Sequence, residues 1–168
     1  MEVKVGYKNI LVPVDFSDSS RKAFYVALKF AKIFDCETHV MHVFEPLEST
    51  DGASKVEQDA KELARLEDGV KRRVDELFVK GGLAEVDRRR IHVDVRAGRT
   101  WKEILAYVVE KNIDLLVIGD SGKTQFKEYF LGSTIEKVVK RAPCHVLSIK
   151  LDDYEYDPFK IPAKFKEV

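Results

Sequence analysis

The chain has 168 residues, of which 45% are hydrophobic and 35% are charged, which is the size and composition of one globular domain. Lys+Arg and Asp+Glu number 29 each, so no overall charge attracts the chain to nucleic acid or to acidic membranes. The two cysteines are isolated and no long apolar run is present, so neither a disulfide framework, structural zinc nor a membrane span is expected. We therefore expect a cytoplasmic protein.

Taken in chain order, the sequence predicts alternating strands and helices. Short, almost wholly apolar runs suit strands that are covered on both faces, and apolar residues recurring every three or four positions suit helices packed on one side. This β-α alternation predicts an α/β fold with a parallel sheet and helices on both faces. The strands are predicted over residues 10–14, 38–44, 91–95, 114–119 and 144–149, with helices beginning near residues 18, 56, 100 and 133.

Small and polar residues mark the predicted helix ends. Thr100 with Glu103, and Ser133 with Glu136, each fit a capping box, in which the two side chains bond backbone N–H groups of the first turn. Pro143 is expected to end the last helix. Residues 1–150 are predicted to form one domain, and residues 151–168, which are aromatic, charged and interrupted by prolines, an irregular C-terminal extension.

Two loops are candidates for a ligand site. In doubly wound sheets, ligands bind outside the carboxyl ends of the strands, where the strand order reverses. The loop after the first strand contains Asp15, and the loop after the fourth strand has glycines followed by hydroxyl side chains. Glycines let backbone N–H groups crowd an anion, and a helix start adds further donors, so this loop suits a triphosphate. The residues that define its spacing are Gly119, Gly122, Gly132, Ser133 and Thr134.

Other interpretations of these residues were weighed. Residues 122–124 resemble the end of a Walker A loop, but Val117 stands where the leading glycine belongs, inside a strand, so a P-loop is excluded. Residues 119–122 resemble the nucleophile loop of trypsin-like proteases, but the strand-loop-helix context does not. The glycines alone also suit a simple turn, Ser133 a helix cap, and Asp15 either a cap or a ligand contact.

The histidines offer no metal site or catalytic triad. His39 and His42 are three apart on a strand and face opposite sides of the sheet, so a packing or hydrogen-bonded role is expected for each. His92 and His145 have no sequence partner that suggests a triad or a zinc site. The run at residues 88–90 is interpreted as a solvated turn before a strand.

Four blocks of the sequence together resemble the universal stress protein family, specifically its ATP-binding branch. They are residues 8–17, residues 40–43, the glycine spacing of residues 119–134 and residues 141–148. The resemblance covers residues 7–150, and all four blocks occur in order at the expected places.

This resemblance implies an adenine nucleotide alpha hydrolase-like fold with strand order 3-2-1-4-5 and a homodimer through the last strand, residues 144–150. It also implies ATP or a related adenine nucleotide between the first and fourth strands, with Mg²⁺ or Mn²⁺ nearby. Carried over by position, the nucleotide-binding residues are Pro13, Val14 and Asp15 at the adenosine, Val43 at the base, and Gly119, Gly122, Lys123, Gly132, Ser133 and Thr134 at the ribose and phosphates.

The sequence departs from the family pattern at Asp120 and Ser121, in the variable positions of the glycine motif, and at His145, where the family usually has proline. The leading functional interpretation is an ATP-binding, stress-response regulatory homodimer with slow or no hydrolysis and a protein partner of unknown identity. One alternative is a slow ATPase or phosphotransferase that uses Lys123, Ser133 and a metal. The other is a nucleotide-free dimeric interaction protein.

Overall fold

A computed structural model describes residues 6–45, 53–81, 87–120 and 132–150, with side chains of the long second helix described from residue 64 onward. The extension 151–168 lies outside these ranges, so the division at residue 150 stays a prediction. No helix within the described ranges is long and apolar enough to span a membrane. The elements are β1 (Asn9–Pro13), α1 (Asp18–Phe34), β2 (Glu37–Phe44), α2 (Ala53–Lys80), β3 (Ile91–Ala97), α3 (Thr100–Glu110), β4 (Leu115–Gly119), α4 (Ser133–Val139) and β5 (His145–Ile149).

The five strands form one parallel sheet in the order β3-β2-β1-β4-β5, which confirms the predicted fold class and strand order. β1 pairs with β2 along its full length, from Asn9 opposite Glu37 to Pro13 opposite Met41. On its other side β1 pairs with β4, where Ile10 lies opposite Leu115. The chain winds outward from β1 to β3 and then returns to β4, so the strand order reverses between β1 and β4.

The central strand β1 shows why the sheet is stable. Ile10, Leu11 and Val12 are all fully buried, and consecutive side chains point to opposite faces of the sheet. Ile10 and Val12 pack in the core beneath α1 and α2, whereas Leu11 packs in a second core beneath α3 and α4. Burying each such side chain stabilises the fold by about 1.5–3 kcal/mol. An apolar run without alternation is what this two-sided burial requires.

The two ends of α1 are fixed by local geometry. Ser17 is the N-cap, and its hydroxyl accepts a hydrogen bond from the N–H of Ser20. The helix ends at Asp35, which has a left-handed backbone (φ 55°) and whose N–H bonds the carbonyl of Ala31. Asp tolerates this conformation better than most residues because its side chain can bond locally.

The predicted capping box at the start of α3 is wrong. Arg99 precedes the helix as the N-cap and makes no side-chain capping bond. Thr100 lies inside the first turn, where its N–H and hydroxyl both donate to Oε1 of Glu45, each at 2.7 Å. A carboxylate at the end of β2 therefore satisfies the helix start that Glu103 was expected to serve.

The predicted capping box of α4 is also wrong. The helix begins at Ser133 as predicted, but Gly132 is the N-cap and no side chain caps it. Glu136 pairs instead with Lys140 one turn later, at 2.6 Å. The helix ends at Val139, so it is shorter than the predicted end at Pro143. Elsewhere the expected turn before β3 is confirmed as a three-residue 3-10 helix, Arg88–Arg90, in which Arg88 and Arg89 are exposed and Arg90 is half-buried.

Candidate functional site

A cleft with a volume of about 220 Å³ opens at the carboxyl end of the sheet. It lies at the reversal between β1 and β4, which is the position where doubly wound sheets bind ligands. The ends of β1, β2 and β4 and the starts of α3 and α4 surround it. Eight of the predicted site residues line this cleft, namely Pro13, Val14, Asp15, Val43, Gly119, Gly132, Ser133 and Thr134. Gly122 and Lys123 lie outside the described residues.

The cleft also contains residues that the sequence prediction left out of the site. Met41 lies two positions before Val43 on β2, and the period of two in a strand gives both side chains the same face. Thr100 and Ile104 come from the first turns of α3. The place of Met41 in the cleft could therefore have been predicted from the period of two in the strand. The contribution of α3 required knowing that this helix packs beside α4.

The first loop, residues 14–17, is tied to β2 by its backbone. The N–H of Val14 donates to the carbonyl of Met41 at 2.8 Å, which continues the β1–β2 pairing beyond the strand. The carbonyl of Val14 accepts a bond from Nδ1 of His42 at 2.6 Å. Because a carbonyl only accepts, the Nδ1 atom of His42 carries the proton. This contact confirms the expected hydrogen-bonded role of His42.

Asp15 organises the same loop through its carboxylate. Oδ1 accepts from the N–H of Ser17 at 2.9 Å and from its hydroxyl at 2.5 Å. Ser17, not Asp15, is the N-cap of α1, so Asp15 supports the cap without being the cap itself. The side chain is half-buried and lines the cleft. One carboxylate thus serves the helix start and borders the candidate ligand site.

Phe16 holds a backbone conformation that is rare for its type. Its φ is 63°, in the left-handed region that bulky residues seldom adopt. The ring is buried, lies 5.6 Å from the ring of His42, and is covered by the guanidinium of Arg73 at 3.9 Å from the ring centroid. Packing against β2 and α2 therefore stabilises the turn that presents Asp15.

The second loop follows β4, and backbone hydrogen bonds connect its two described ends, Asp120 and Gly132. The N–H of Asp120 donates to the carbonyl of Ile149 at 3.0 Å, which anchors the end of β4 to β5. The N–H of Gly132 donates to the carbonyl of Asp120 at 3.1 Å. These two bonds fix the start of α4 against the end of β4. Asp120 itself lines the cleft.

Gly119 and Gly132, the two described glycines of this loop, tolerate an added side chain to different degrees. A Cβ at Gly119 would lie 2.8 Å from the backbone carbon of Ser19, so only glycine lets the first turn of α1 approach β4 this closely. Gly132 has an ordinary φ of −54°, and a Cβ there would lie 3.2 Å from the carbonyl oxygen of Asp120. Close packing thus excludes a side chain at Gly119, whereas at Gly132 the contact is tight but less severe.

The hydroxyls at the start of α4 are not used as a cap. Ser133 is exposed and Thr134 is half-buried, and both line the cleft. Because Gly132 is the N-cap and no side chain caps this helix, neither hydroxyl is held in a capping bond. They are placed to donate to a ligand in the cleft.

His39 has a packing and hydrogen-bonded role, as predicted, and His92 packs against it. His39 is buried on β2, with Nδ1 3.0 Å from the hydroxyl of Tyr107. His92 stacks on His39, with ring centroids 4.9 Å apart, and bonds Glu37. Within the described ranges no three His, Cys, Asp or Glu side chains converge in a way that suits a metal ion.

The two cysteines are not activated nucleophiles. Neither forms a disulfide. Burial raises the pKa of the Cys36 thiol to about 11, and burial also raises that of Cys144. A thiol with a raised pKa carries little thiolate at neutral pH, and the thiolate is the reactive form.

The fold and the cleft define a doubly wound α/β protein with an open cleft at the reversal of strand order. Residues 6–150 match the universal stress protein family. Universal stress protein MJ0531 of Methanocaldococcus jannaschii is 31% identical over 146 residues, which cover 86% of this chain and 82% of that protein. The chain therefore belongs to the universal stress protein family.

Solved structures agree in fold. Universal stress protein UspA from Lactobacillus plantarum is 28% identical, covers 86% of this chain and 98% of its own, and superposes with a TM-score of 0.69. A universal stress protein in complex with cAMP is 20% identical, covers 86% of this chain and 97% of its own, and has a TM-score of 0.61. At that identity the second likeness concerns the fold alone.

Proposed function

We propose that this chain binds ATP or a related adenine nucleotide in the cleft and acts in the stress response as a nucleotide-dependent regulator, with slow or no hydrolysis. The observation that carries this proposal is the meeting of the Asp15 loop with Gly132, Ser133 and Thr134 around one cleft. The glycine spacing in the sequence is the one that marks the ATP-binding branch in the resemblance described above. That the same fold holds cAMP in another protein agrees with an adenine nucleotide as ligand.

The side of the cleft formed by β1, β2 and α3 suits the adenosine. Pro13, Met41, Val43 and Ile104 give it apolar walls against which a purine can pack. Asp15 borders this region, and a carboxylate has about four acceptor positions on its two oxygens. It can therefore serve Ser17 and a ribose hydroxyl at the same time, so the capping and ligand roles weighed for Asp15 are compatible.

The side formed by the second loop suits the phosphates. The hydroxyls of Ser133 and Thr134 are donors, and Gly132 leaves the adjacent backbone accessible to an anion. α4 has only seven residues, so we assign the main attraction to these local donors and not to the helix dipole. The contributions of Gly122 and Lys123 stay predictions.

A divalent cation would enter with the nucleotide. Mg²⁺ commonly binds through one or two carboxylates together with substrate phosphates and water. The two carboxylates that line the described part of the cleft are Asp15 and Asp120. This arrangement suits a Mg²⁺ or Mn²⁺ ion bound mainly by the phosphates, to which Asp15 or Asp120 adds one oxygen ligand.

The nucleotide-free interaction protein is the second candidate, and Asp120 is the observation that favours it. A carboxylate about 4 Å from a phosphate opposes binding by about 1 kcal/mol in water and by about 4 kcal/mol at intermediate screening. The lower value weakens ATP binding by about fivefold, and the upper value weakens it by about a thousandfold. The slow ATPase or phosphotransferase depends on Lys123, outside the described residues.

We also propose a homodimer through residues 144–150. β5 is the edge of the sheet on the β4 side, and an edge strand presents unpaired backbone groups that can pair with a second copy. His145 is exposed at the start of this strand, so it does not block such pairing as a buried charge would. A cytoplasmic location likewise stays a prediction.

The test begins with protein as purified. Any bound small molecule is released by heat and identified by mass, and the emptied protein is titrated with ATP and Mg²⁺ by calorimetry. Co-purified adenine nucleotide, or micromolar binding that Ser133→Ala with Thr134→Val weakens, supports the proposal. No nucleotide and no heat up to millimolar ATP would overturn it in favour of the interaction protein. Limited proteolysis with and without ATP then tests whether binding protects residues 119–132.

A further inference from the structure

Beside the cleft, one tryptophan is surrounded by basic side chains. Trp101 is the only tryptophan of the chain and lies half-buried in the first turn of α3. Three cations lie over its ring, at 5.7 Å for Lys102, 5.9 Å for Lys137 and 5.4 Å for Arg141, measured to the ring centroid. These three side chains are exposed. We call these four residues the Trp101 patch.

The Trp101 patch differs from basic residues elsewhere in how its charges are paired. At the β3 side of the sheet, Arg88 pairs with Asp75, and Arg96 pairs with Glu110. In contrast, no side chain of the Trp101 patch forms an ion pair with another described residue. The patch therefore presents three exposed cations, without an ion-pair partner among the described residues, on a chain whose total charge is zero.

Two carboxylates beside the patch, Glu136 and Glu45, each accept hydrogen bonds from a residue outside it. Glu136 is bonded to Lys140, and hydrogen bonds from Lys140 lower its pKa, with smaller effects from Lys137 and Arg141. Glu45 accepts two bonds from Thr100. Cation–π attraction holds the three cations on the indole, although like charges brought together repel one another. An external anion bound beside these three cations would reduce their mutual repulsion.

From these contacts we propose that the Trp101 patch docks an acidic segment of a partner protein. Carboxylates of the segment would pair with Lys137, Arg141 and Lys102, and an apolar side chain would pack on the indole. Tryptophan and arginine are the residues most enriched among those that dominate binding energy at protein interfaces. Because the whole chain is neutral, a long nucleic acid gains no general attraction, whereas a short acidic segment needs only this local charge.

The Trp101 patch lies next to residues that line the cleft. Thr100, which precedes Trp101, lines the cleft, and so do Ser133 and Thr134, one turn before Lys137 on α4. The starts of α3 and α4 therefore contribute residues to both the cleft and the Trp101 patch. The docking itself does not depend on the proposed nucleotide function, so each can be tested without the other.

The experiment uses the fluorescence of Trp101, because no other tryptophan contributes. The full chain without nucleotide is titrated with an acetylated octaglutamate peptide at low and at physiological salt. We expect a saturable fluorescence change whose affinity falls as salt rises. The double variant Lys137→Glu/Arg141→Glu should weaken binding by about tenfold or more, because attraction becomes repulsion. The affinity of the variant Lys137→Gln/Arg141→Gln for the peptide should lie between that of the unchanged chain and that of Lys137→Glu/Arg141→Glu.

Matched controls make each outcome decisive. Lys29 and Lys71 are exposed on other helices, and Lys29→Glu/Lys71→Glu changes the total charge equally, so it should leave peptide binding within about twofold. Absent binding, or equal loss in this control, would overturn the proposal. Equal affinity for an octathymidylate DNA would also overturn it by assigning the patch to polyanions in general. Loss of ATP binding in Lys137→Glu/Arg141→Glu would make the patch part of the nucleotide site instead, whereas failure of ATP binding in every variant leaves the peptide result standing.

Discussion

The two loops that meet at the cleft use similar residues in opposite ways. In the first loop, Asp15 and Ser17 bond each other and the start of α1, and His42 holds the backbone of Val14. In the second loop, Ser133 starts α4 but makes no capping bond, and backbone bonds join Gly132 to Asp120 and Asp120 to Ile149. The first loop is thus built mainly for rigidity, and the second presents its hydroxyls toward the cleft. A serine beside a helix start does not by itself reveal which role it has.

The largest effect should separate the two glycines. Gly119→Ala should lower the free energy of unfolding by about 2–3 kcal/mol, because its Cβ would overlap the backbone of Ser19 at 2.8 Å. Gly132→Ala should change it by less than about 1 kcal/mol, because its φ suits alanine and the contact is looser. Urea unfolding of the pair measures both. Equal losses would mean that both loops are fixed by close packing.

Acid should weaken the sheet without involving either loop. Burial lowers the pKa of His39 to about 4 from 6.5, with His92 and Lys111 adding to the effect. Between these pH values the unfolded chain binds a proton that the folded chain does not, so stability is complete above 6.5 and falls as pH drops toward 4. The loss should be about 2–3 kcal/mol. Unfolding measured across this range should flatten in His39→Gln, and an unchanged slope would contradict the assignment.

The two serines should then separate stability from binding. Ser17→Ala should lower the free energy of unfolding by about 1–2 kcal/mol, because it removes the cap of α1 and the partner of Asp15. Ser133→Ala should change stability by less than about 0.5 kcal/mol and should weaken ATP binding. Thermal unfolding and calorimetry of the two variants provide the test. A stability loss at Ser133 equal to that at Ser17 would remove the distinction between the loops.

The smallest expected effect concerns charge in the cleft. Asp120→Asn removes a carboxylate that opposes the phosphates, so ATP affinity should rise by about fivefold at low salt and by less at physiological salt. Calorimetric titration at both salt concentrations checks this. A fall in affinity would instead show that Asp120 helps to hold the divalent cation that enters with the nucleotide.

The sequence by itself determined the layers and the place of the site. Apolar runs such as Ile10–Leu11–Val12 have no solvent-facing side and so indicate a sheet covered on both faces. The strand order came from the family resemblance, and the loops at the carboxyl ends followed from the topology. Eight of the site residues named from the sequence line one cleft, because strand ends that neighbour each other in a parallel sheet bring their loops together.

The tertiary structure alone decided what each polar group bonds. Thr100 and Ser133 carry good capping patterns, yet Glu45, directly after β2, bonds Thr100, and Gly132 is the N-cap of α4. Nor does local spacing show that Gly119 touches Ser19, or that Lys137 and Arg141 lie over Trp101. These contacts join residues far apart in the chain. Their geometry depends on how helices pack on the sheet, which local propensity does not encode.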